Sequence, residues 1–147
     1  MQRMSEQKPG WEPLGLVPHR APMLLLDGVQ EVTEEKCIAW VRVDPGAWYA
    51  GPDGSMPGWF GIELMAQTIA AYSGARKREA GQAPRVGFLL GTRSLECGLP
   101  SFPPGALLEV EAQICYLDES GLSAFQCEIR HLGQTVSKAT LKTYEQP

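Results

Sequence analysis

The residues best suited to chemistry lie near the start of one long apolar segment. Glu63 is the only charged residue in positions 59–75, where apolar residues recur at helical spacing. A carboxylate in a buried helix is unfavourable unless it is paired or hydrogen-bonded. Gln67 lies one helical turn later on the same face and can donate such a bond. The pair of Glu63 and Gln67 predicts that Glu63 transfers protons. The alternative is that its carboxylate only stabilises the start of the helix.

Backbone groups just before Glu63 offer a second kind of chemistry. Pro57 and Gly58 lead directly into the predicted helix, whose first N–H groups have no partner within the helix. Gly58 and Gly61 lack side chains, so a ligand carbonyl could approach closely. Such N–H groups can polarise a thioester or ester oxygen. The alternative is that these glycines only form the turn.

Composition excludes several other classes of site. The chain has 147 residues, which suits one domain, and its 13 Lys and Arg against 17 Asp and Glu give a net charge of −4. This charge argues against a nucleic-acid partner. The apolar surroundings of Cys37, Cys115 and Cys127 predict buried free thiols. Zinc would need clustered ligands, and the two histidines, His19 and His131, are far apart, so no metal site is predicted.

The sequence also predicts a cytoplasmic protein without a membrane span. No apolar stretch follows the charged first residues as it would in a signal peptide. The longest apolar run, 56–75, contains Glu63 and Gln67 and is too polar to cross a bilayer.

The elements that must position these residues form an α+β pattern. Residues 1–13 are predicted to be a loose lead-in and 14–147 a single domain. The helix at 59–75 is apolar nearly all round, which predicts burial on every side, and 44–58 and 98–105 are predicted loops. The predicted strands are 23–27, 37–43, 85–97, 106–118, 122–132 and 134–144. The last three are joined by short turns and predict an antiparallel meander around the helix.

Two motifs make the chain resemble a known family. Met56-Pro57-Gly58 precedes Glu63 and Met65-Ala66-Gln67, and residues 16–27 read Leu-Val-Pro-His-Arg-Ala-Pro-Met-Leu-Leu-Leu-Asp. Both resemble segments of the 3-hydroxyacyl-(acyl-carrier-protein) dehydratases of the FabA/FabZ type, and the likeness extends from about residue 14 to residue 144. The resemblance implies the hotdog fold, in which a curved antiparallel sheet wraps a long central helix.

The resemblance also implies a reaction and a set of roles. The family removes water from 3-hydroxyacyl thioesters carried on the 4'-phosphopantetheine of an acyl carrier protein, and it needs no other cofactor. Its homodimers form two acyl tunnels, each with an acidic residue from one subunit and a histidine from the other. Glu63 matches the acidic residue and Gly58 the glycine whose N–H binds the thioester carbonyl. The predicted substrate-binding residues are Tyr49, Met56, Trp59, Gly61 and Gln67.

One position departs from the family pattern. The catalytic histidine is expected seven residues before Met56, where this chain has Tyr49. His19 belongs to the opening motif, and we interpret it as a structural residue near the subunit contact. The helix sequence resembles a divergent branch from aryl-polyene pathways, whose members occur beside a second dehydratase that keeps the histidine. Three hypotheses follow: a dehydratase, a non-catalytic acyl-binding partner in a homodimer or heterodimer, and a hotdog thioesterase.

A basic cluster follows the predicted helix. It consists of Arg76, Lys77, Arg78 and Arg85. Because carrier proteins are acidic, this cluster is the predicted docking site for the carrier. The alternative is ordinary solvated charge at a helix C-terminus.

Overall fold

The computed structural model describes residues 16–82 and 87–145. The predicted lead-in at 1–13 lies outside the described residues, and so does Arg85. Within them, one helix packs against a curved antiparallel sheet, as the α+β hotdog prediction requires. The elements are β1 (Gly28–Val32), β2 (Lys36–Arg42), β3 (Met56–Pro57), α1 (Phe60–Glu79), β4 (Gly87–Cys97), β5 (Ser101–Phe102), β6 (Leu107–Leu117), β7 (Leu122–His131) and β8 (Gln134–Glu145).

The helix α1 is longer than predicted and more exposed. It continues through the charged residues to Glu79, because Arg, Lys and Glu are good helix formers, and Gly81 follows with φ 74°. Leu64 and Met65 are fully buried against the sheet. The predicted burial on every side is wrong, because no described strand covers one stripe of α1. The half-buried residues of that stripe are Ile62, Glu63, Ala66, Ala70 and Ser73.

The six-stranded sheet has the order β1-β2-β6-β7-β8-β4. The predicted meander of β6, β7 and β8 is confirmed. Its second turn consists of Leu132 and Gly133, both with positive φ, which matches the right-handed twist of the flanking strands. Although β4 directly follows α1 in the chain, it pairs with β8 at the edge of the sheet. The other side of β4 has no partner among the described strands.

Three local predictions are corrected. Residues 23–27 are not a strand, because a side chain of α1 occupies the hydrogen-bonding groups that a neighbouring strand would use. The predicted loops 44–58 and 98–105 each contain a short strand, and β3 pairs with β5. Cys37 and Cys127 are buried as predicted, but Cys115 is exposed on β6.

Two further features concern the class of protein. In residues 16–82 and 87–145, no helix combines the length and the apolar character that a membrane crossing requires. Over the same ranges, His, Cys, Asp and Glu side chains do not form a group of three or more that could hold a metal ion.

Candidate functional site

Glu63 lies on the uncovered stripe of α1, in the first turn. Its side chain is 35% exposed, so it is half-buried rather than enclosed. The side-chain amide of Gln67 donates to Glu63 Oε2 at 2.8 Å, which is the hydrogen bond that the sequence spacing predicts. Gln67 itself is fully buried. The carboxylate is therefore reachable from solvent and is held in place by a group that is not.

The amide of Gln67 also holds the opening segment, which we define as residues 16–27, against α1. It donates to the carbonyl of Met23 at 2.6 Å and accepts the N–H of Leu25 at 2.9 Å. The N–H of Leu26 approaches the same oxygen at 3.4 Å. One buried side chain thus joins the helix, the carboxylate of Glu63 and a segment more than forty residues away.

His19, in that opening segment, is the site residue that sequence reasoning misses. Its Nε2 lies 3.4 Å from Glu63 Oε2, and its side chain is 27% exposed. Its other ring nitrogen, Nδ1, is buried and has no hydrogen-bond partner in the described chain. The signal in the sequence was the place of His19 in the opening motif, which does not by itself show that the motif reaches Glu63.

Glu63 and His19 lie in a groove of about 510 Å³ that runs along the uncovered stripe of α1. Its floor includes Ala66 and Ala70, and its far end includes Arg76 and Lys77. At 1.5 Å per residue, the helix places Arg76 about 20 Å from Glu63. The volume is within the range of small-molecule sites. The groove can therefore hold an elongated ligand with one end at the carboxylate and the other near cations.

The predicted donor Gly58 is already used within the fold. Its N–H donates to the carbonyl of Pro100 at 2.9 Å, beside the pairing of β3 with β5. A Cβ at Gly58 would lie 2.9 Å from that oxygen, so the close strand pairing accounts for the glycine. The predicted binding of a carbonyl by the Gly58 N–H is not supported by this geometry. At the start of α1, the N–H groups of Gly58, Gly61 and Ile62 have backbone acceptors, whereas those of Trp59 and Phe60 have none among the described residues.

Tyr49 occupies a structural position. Its hydroxyl accepts the N–H of Asp44 at 2.9 Å, and its ring packs against Phe60 and Trp48. Burial raises the pKa of the Tyr49 hydroxyl, and the carboxylate of Asp44 raises it further, although the hydrogen bond acts in the opposite direction. Tyr49 is therefore protonated at neutral pH and is a poor base.

Met56, Trp59 and Gly61 also lie away from the groove, whereas Gln67 lies behind its lining and contacts Glu63. Met56 and Gly61 are buried, and a Cβ at Gly61 would contact the side chain of Ile129 at 3.2 Å. Trp59 is 75% exposed and stacks on Phe60. Among the described residues predicted for catalysis or substrate binding, Glu63 is the one that lines the groove.

The predicted docking cations lie at the far end of the groove and are partly neutralised. Arg76 pairs with Glu79 at 3.6 Å, and Lys77 forms an ion pair with Glu145 of β8. Arg78 also has an interaction partner. Arg85 lies outside the described residues. The local positive charge is therefore smaller than the sequence alone indicates.

Comparisons with known proteins agree on the family. The model of the ApeP-like family, described as ApeP dehydratase, matches residues 11–147. The structure is similar to the dehydratase heterocomplex ApeI:P from Xenorhabdus doucetiae, with 34% identity, coverage of 93% of this chain and 91% of that chain, and a TM-score of 0.87.

More distant solved structures share the fold. The TT0310 protein from Thermus thermophilus has 19% identity, coverage of 86% of this chain and 98% of that chain, and a TM-score of 0.64. The protein smu.793 from Streptococcus mutans has 16% identity, coverage of 87% and 93%, and a TM-score of 0.64. A search of curated proteins gave no match. The predicted resemblance to the aryl-polyene branch of the hotdog dehydratases is confirmed, and the chain belongs to the ApeP-like dehydratase family.

Proposed function

We propose that this chain supplies the acidic residue of a dehydratase that acts on carrier-bound 3-hydroxyacyl thioesters, as one subunit of a heterodimer with a related dehydratase. The observation that carries the proposal is the pairing of Glu63 with buried Gln67 in an open groove. The position expected to hold the base is instead Tyr49, whose hydroxyl binds the backbone. This chain therefore contributes an acid, and the base comes from the partner.

The proposed reaction balances with one acid and one base. The base removes a proton from C2 of the 3-hydroxyacyl thioester, and the C2–H electrons form the C2=C3 double bond. The C3–O bond breaks, and the leaving hydroxyl takes the proton of Glu63 to depart as water. The products are a 2-enoyl thioester, water, a Glu63 carboxylate and a protonated base, and return of that proton to Glu63 completes the cycle.

The open edge of β4 supports a partner at this place. Leu89, Leu90 and Leu95 are exposed on β4, and the outer edge of the strand is unpaired among the described strands. Exposed edge strands with apolar side chains favour pairing with another chain. The relative that is 34% identical was solved as a dehydratase heterocomplex. A related chain paired at β4 would lie beside the groove, because Gly87 and Leu89 line it.

We further propose that the substrate arrives on the 4'-phosphopantetheine of an acyl carrier protein. The elongated groove suits a thioester at the end of an extended arm, with Arg76 and Lys77 at the far end from Glu63 for the arm's phosphate or an acidic carrier. No further cofactor is proposed. Four free cysteines suit the reducing conditions of the cytoplasm, where we place the reaction.

The experiment compares three preparations with a 3-hydroxyacyl pantetheine thioester as substrate. They are this chain alone, a related dehydratase that keeps the histidine, and the purified complex of both. We expect enoyl product from the complex at a rate well above that of either chain alone. Glu63→Gln in the complex should lower kcat about 10²–10⁴-fold, the usual range for a lost general acid.

The control and the contrary outcomes are specific. Glu35→Gln removes a carboxylate from the exposed β1–β2 turn and should leave turnover unchanged. Full activity of the Glu63→Gln complex would mean that this chain only binds acyl groups or supports the partner. Release of free thiol without enoyl product would indicate a thioesterase.

A further inference from the structure

The opening segment presents its histidine to the carboxylate of the same chain. We propose that His19 is a positioning residue for Glu63. The Nε2–H of His19 and the amide of Gln67 together hold Oε2 of Glu63, so that the transferable proton of Glu63 resides on Oε1. The inference rests on the proposed function for its catalytic consequence, but the contact itself does not. It differs from the family pattern, in which the histidine beside the acidic residue comes from the other subunit.

The backbone around His19 is fixed on both sides. Leu16 and Val17, just before it, are fully buried. The carbonyl of Leu16 lies so close to α1 that a Cβ at Gly74 would overlap it. After His19, the guanidinium of Arg20 donates to the carbonyl of Val17 at 2.8 Å. With Gln67 holding residues 23–26, the segment delivers the imidazole to a defined place.

The environment of the ring determines which nitrogen carries hydrogen. Nδ1 is buried without an acceptor in the described chain, so a hydrogen there would lose its hydrogen bond to water and gain none. Nε2 faces a carboxylate oxygen, which accepts a hydrogen. The geometry therefore favours the tautomer with hydrogen on Nε2. The 3.4 Å separation of Nε2 and Oε2 exceeds an ideal hydrogen bond by a few tenths of an ångström, so the two groups approach closely and a small shift of the imidazole would form the bond.

Two donors on one oxygen decide the position of the acidic proton. In the described chain, His19 and Gln67 both approach Oε2. A proton on Oε2 would point at N–H hydrogens, whereas a proton on Oε1 meets no such conflict. The pair thus directs the acidic hydrogen of Glu63 to one oxygen. In this arrangement Nε2 faces Glu63 and Nδ1 is buried, so neither ring nitrogen is presented to the C2 proton of a substrate.

The first test uses substitutions that imitate one nitrogen at a time. In the complex, His19→Gln places an amide near Nε2, while His19→Asn reaches only the position of Nδ1. We expect His19→Gln to retain most of the wild-type kcat, and His19→Asn and His19→Ala to lose about 10²-fold in kcat with little change in KM, as for a misplaced catalytic group. His131→Asn, in the histidine at the end of β7, is the matched control and should behave as wild type.

Two results would overturn the proposal. If kcat falls as far in His19→Gln as in His19→Ala, the imidazole itself is required and acts as a base. If all three variants remain fully active, His19 does not position Glu63. Thermal melting of each variant separates a loss of folding from a loss of turnover.

A second test needs no turnover and so separates this inference from the proposed function. In the His131→Asn variant, His19 is the only histidine left in the 147-residue chain. With ¹⁵N-labelled histidine, NMR should show hydrogen on Nε2 and a bare Nδ1, and Glu63→Gln should shift the Nε2–H signal. Hydrogen on Nδ1, or no response to Glu63→Gln, would refute the contact. A complex without dehydratase activity would refute the proposed function and leave this result standing.

Discussion

The strongest test of the fold around the site is the substitution Gln67→Met. Methionine keeps the length and fills the buried space but removes every hydrogen-bonding atom of the amide. The N–H of Leu25 then loses a fully buried partner, and the carbonyl of Met23 loses one at a partly buried site. An unsatisfied buried group costs about 1–3 kcal/mol. One full and one partial penalty give about 3 kcal/mol of lost stability.

Urea unfolding of the wild type and Gln67→Met measures this difference directly. In a domain of this size, about 3 kcal/mol corresponds to a fall in Tm of about 6–12 °C. Amide hydrogen exchange should also become faster at Leu25, whose N–H has lost its acceptor. Gln113→Met is the control, because Gln113 is exposed on β6, and it should change stability by less than about 0.5 kcal/mol.

A loss of stability below about 1 kcal/mol in Gln67→Met, with unchanged exchange at Leu25, would contradict this prediction. It would mean that the opening segment holds its position without this amide. Contacts other than the Gln67 amide would then hold His19 beside Glu63.

Three further outcomes are expected. Gly74→Ala should destabilise the protein by about 1–3 kcal/mol in urea, because its Cβ would overlap the carbonyl of Leu16; an unchanged midpoint would mean that Leu16 does not pack there. Tyr49→Phe should cost about 1 kcal/mol through the lost acceptor for Asp44 but preserve turnover of the complex, whereas a hundredfold loss of kcat would make the hydroxyl part of the chemistry. Burial raises the pKa of the Cys37 thiol to about 12. At pH 8 a disulfide reagent should therefore modify Cys37 only after unfolding, while the exposed cysteines react in the native state. Rapid modification of Cys37 in the native protein would contradict its burial.

The fold was largely predictable because its signals are local. Helical spacing predicts α1 and short turns predict the meander, and both are present. The single charge in the apolar helix marks Glu63, and the spacing of one turn predicts its bond to Gln67. These features depend on residues close together in the chain, where periodicity carries the information.

The rest of the site depends on long-range contacts that no local pattern encodes. His19 reaches Glu63 only because the opening segment docks on α1. Gly58 loses its free N–H because two irregular segments, β3 and β5, pair with each other. The exposure of Glu63 likewise depends on which face of α1 the sheet leaves uncovered.

The origin of the groove walls sets an order for folding. One wall includes Pro18 and His19 from the opening segment, and another includes Tyr144 and Glu145 from β8. During synthesis the first wall emerges before the amide that anchors it, which follows about forty residues later, and the opposite wall emerges after both. Because contacts of such separation form slowly, a nascent chain carries an unpaired β4 until β8 arrives. The site is therefore assembled at the end of folding, and the interval before that is when the chain is most prone to aggregate.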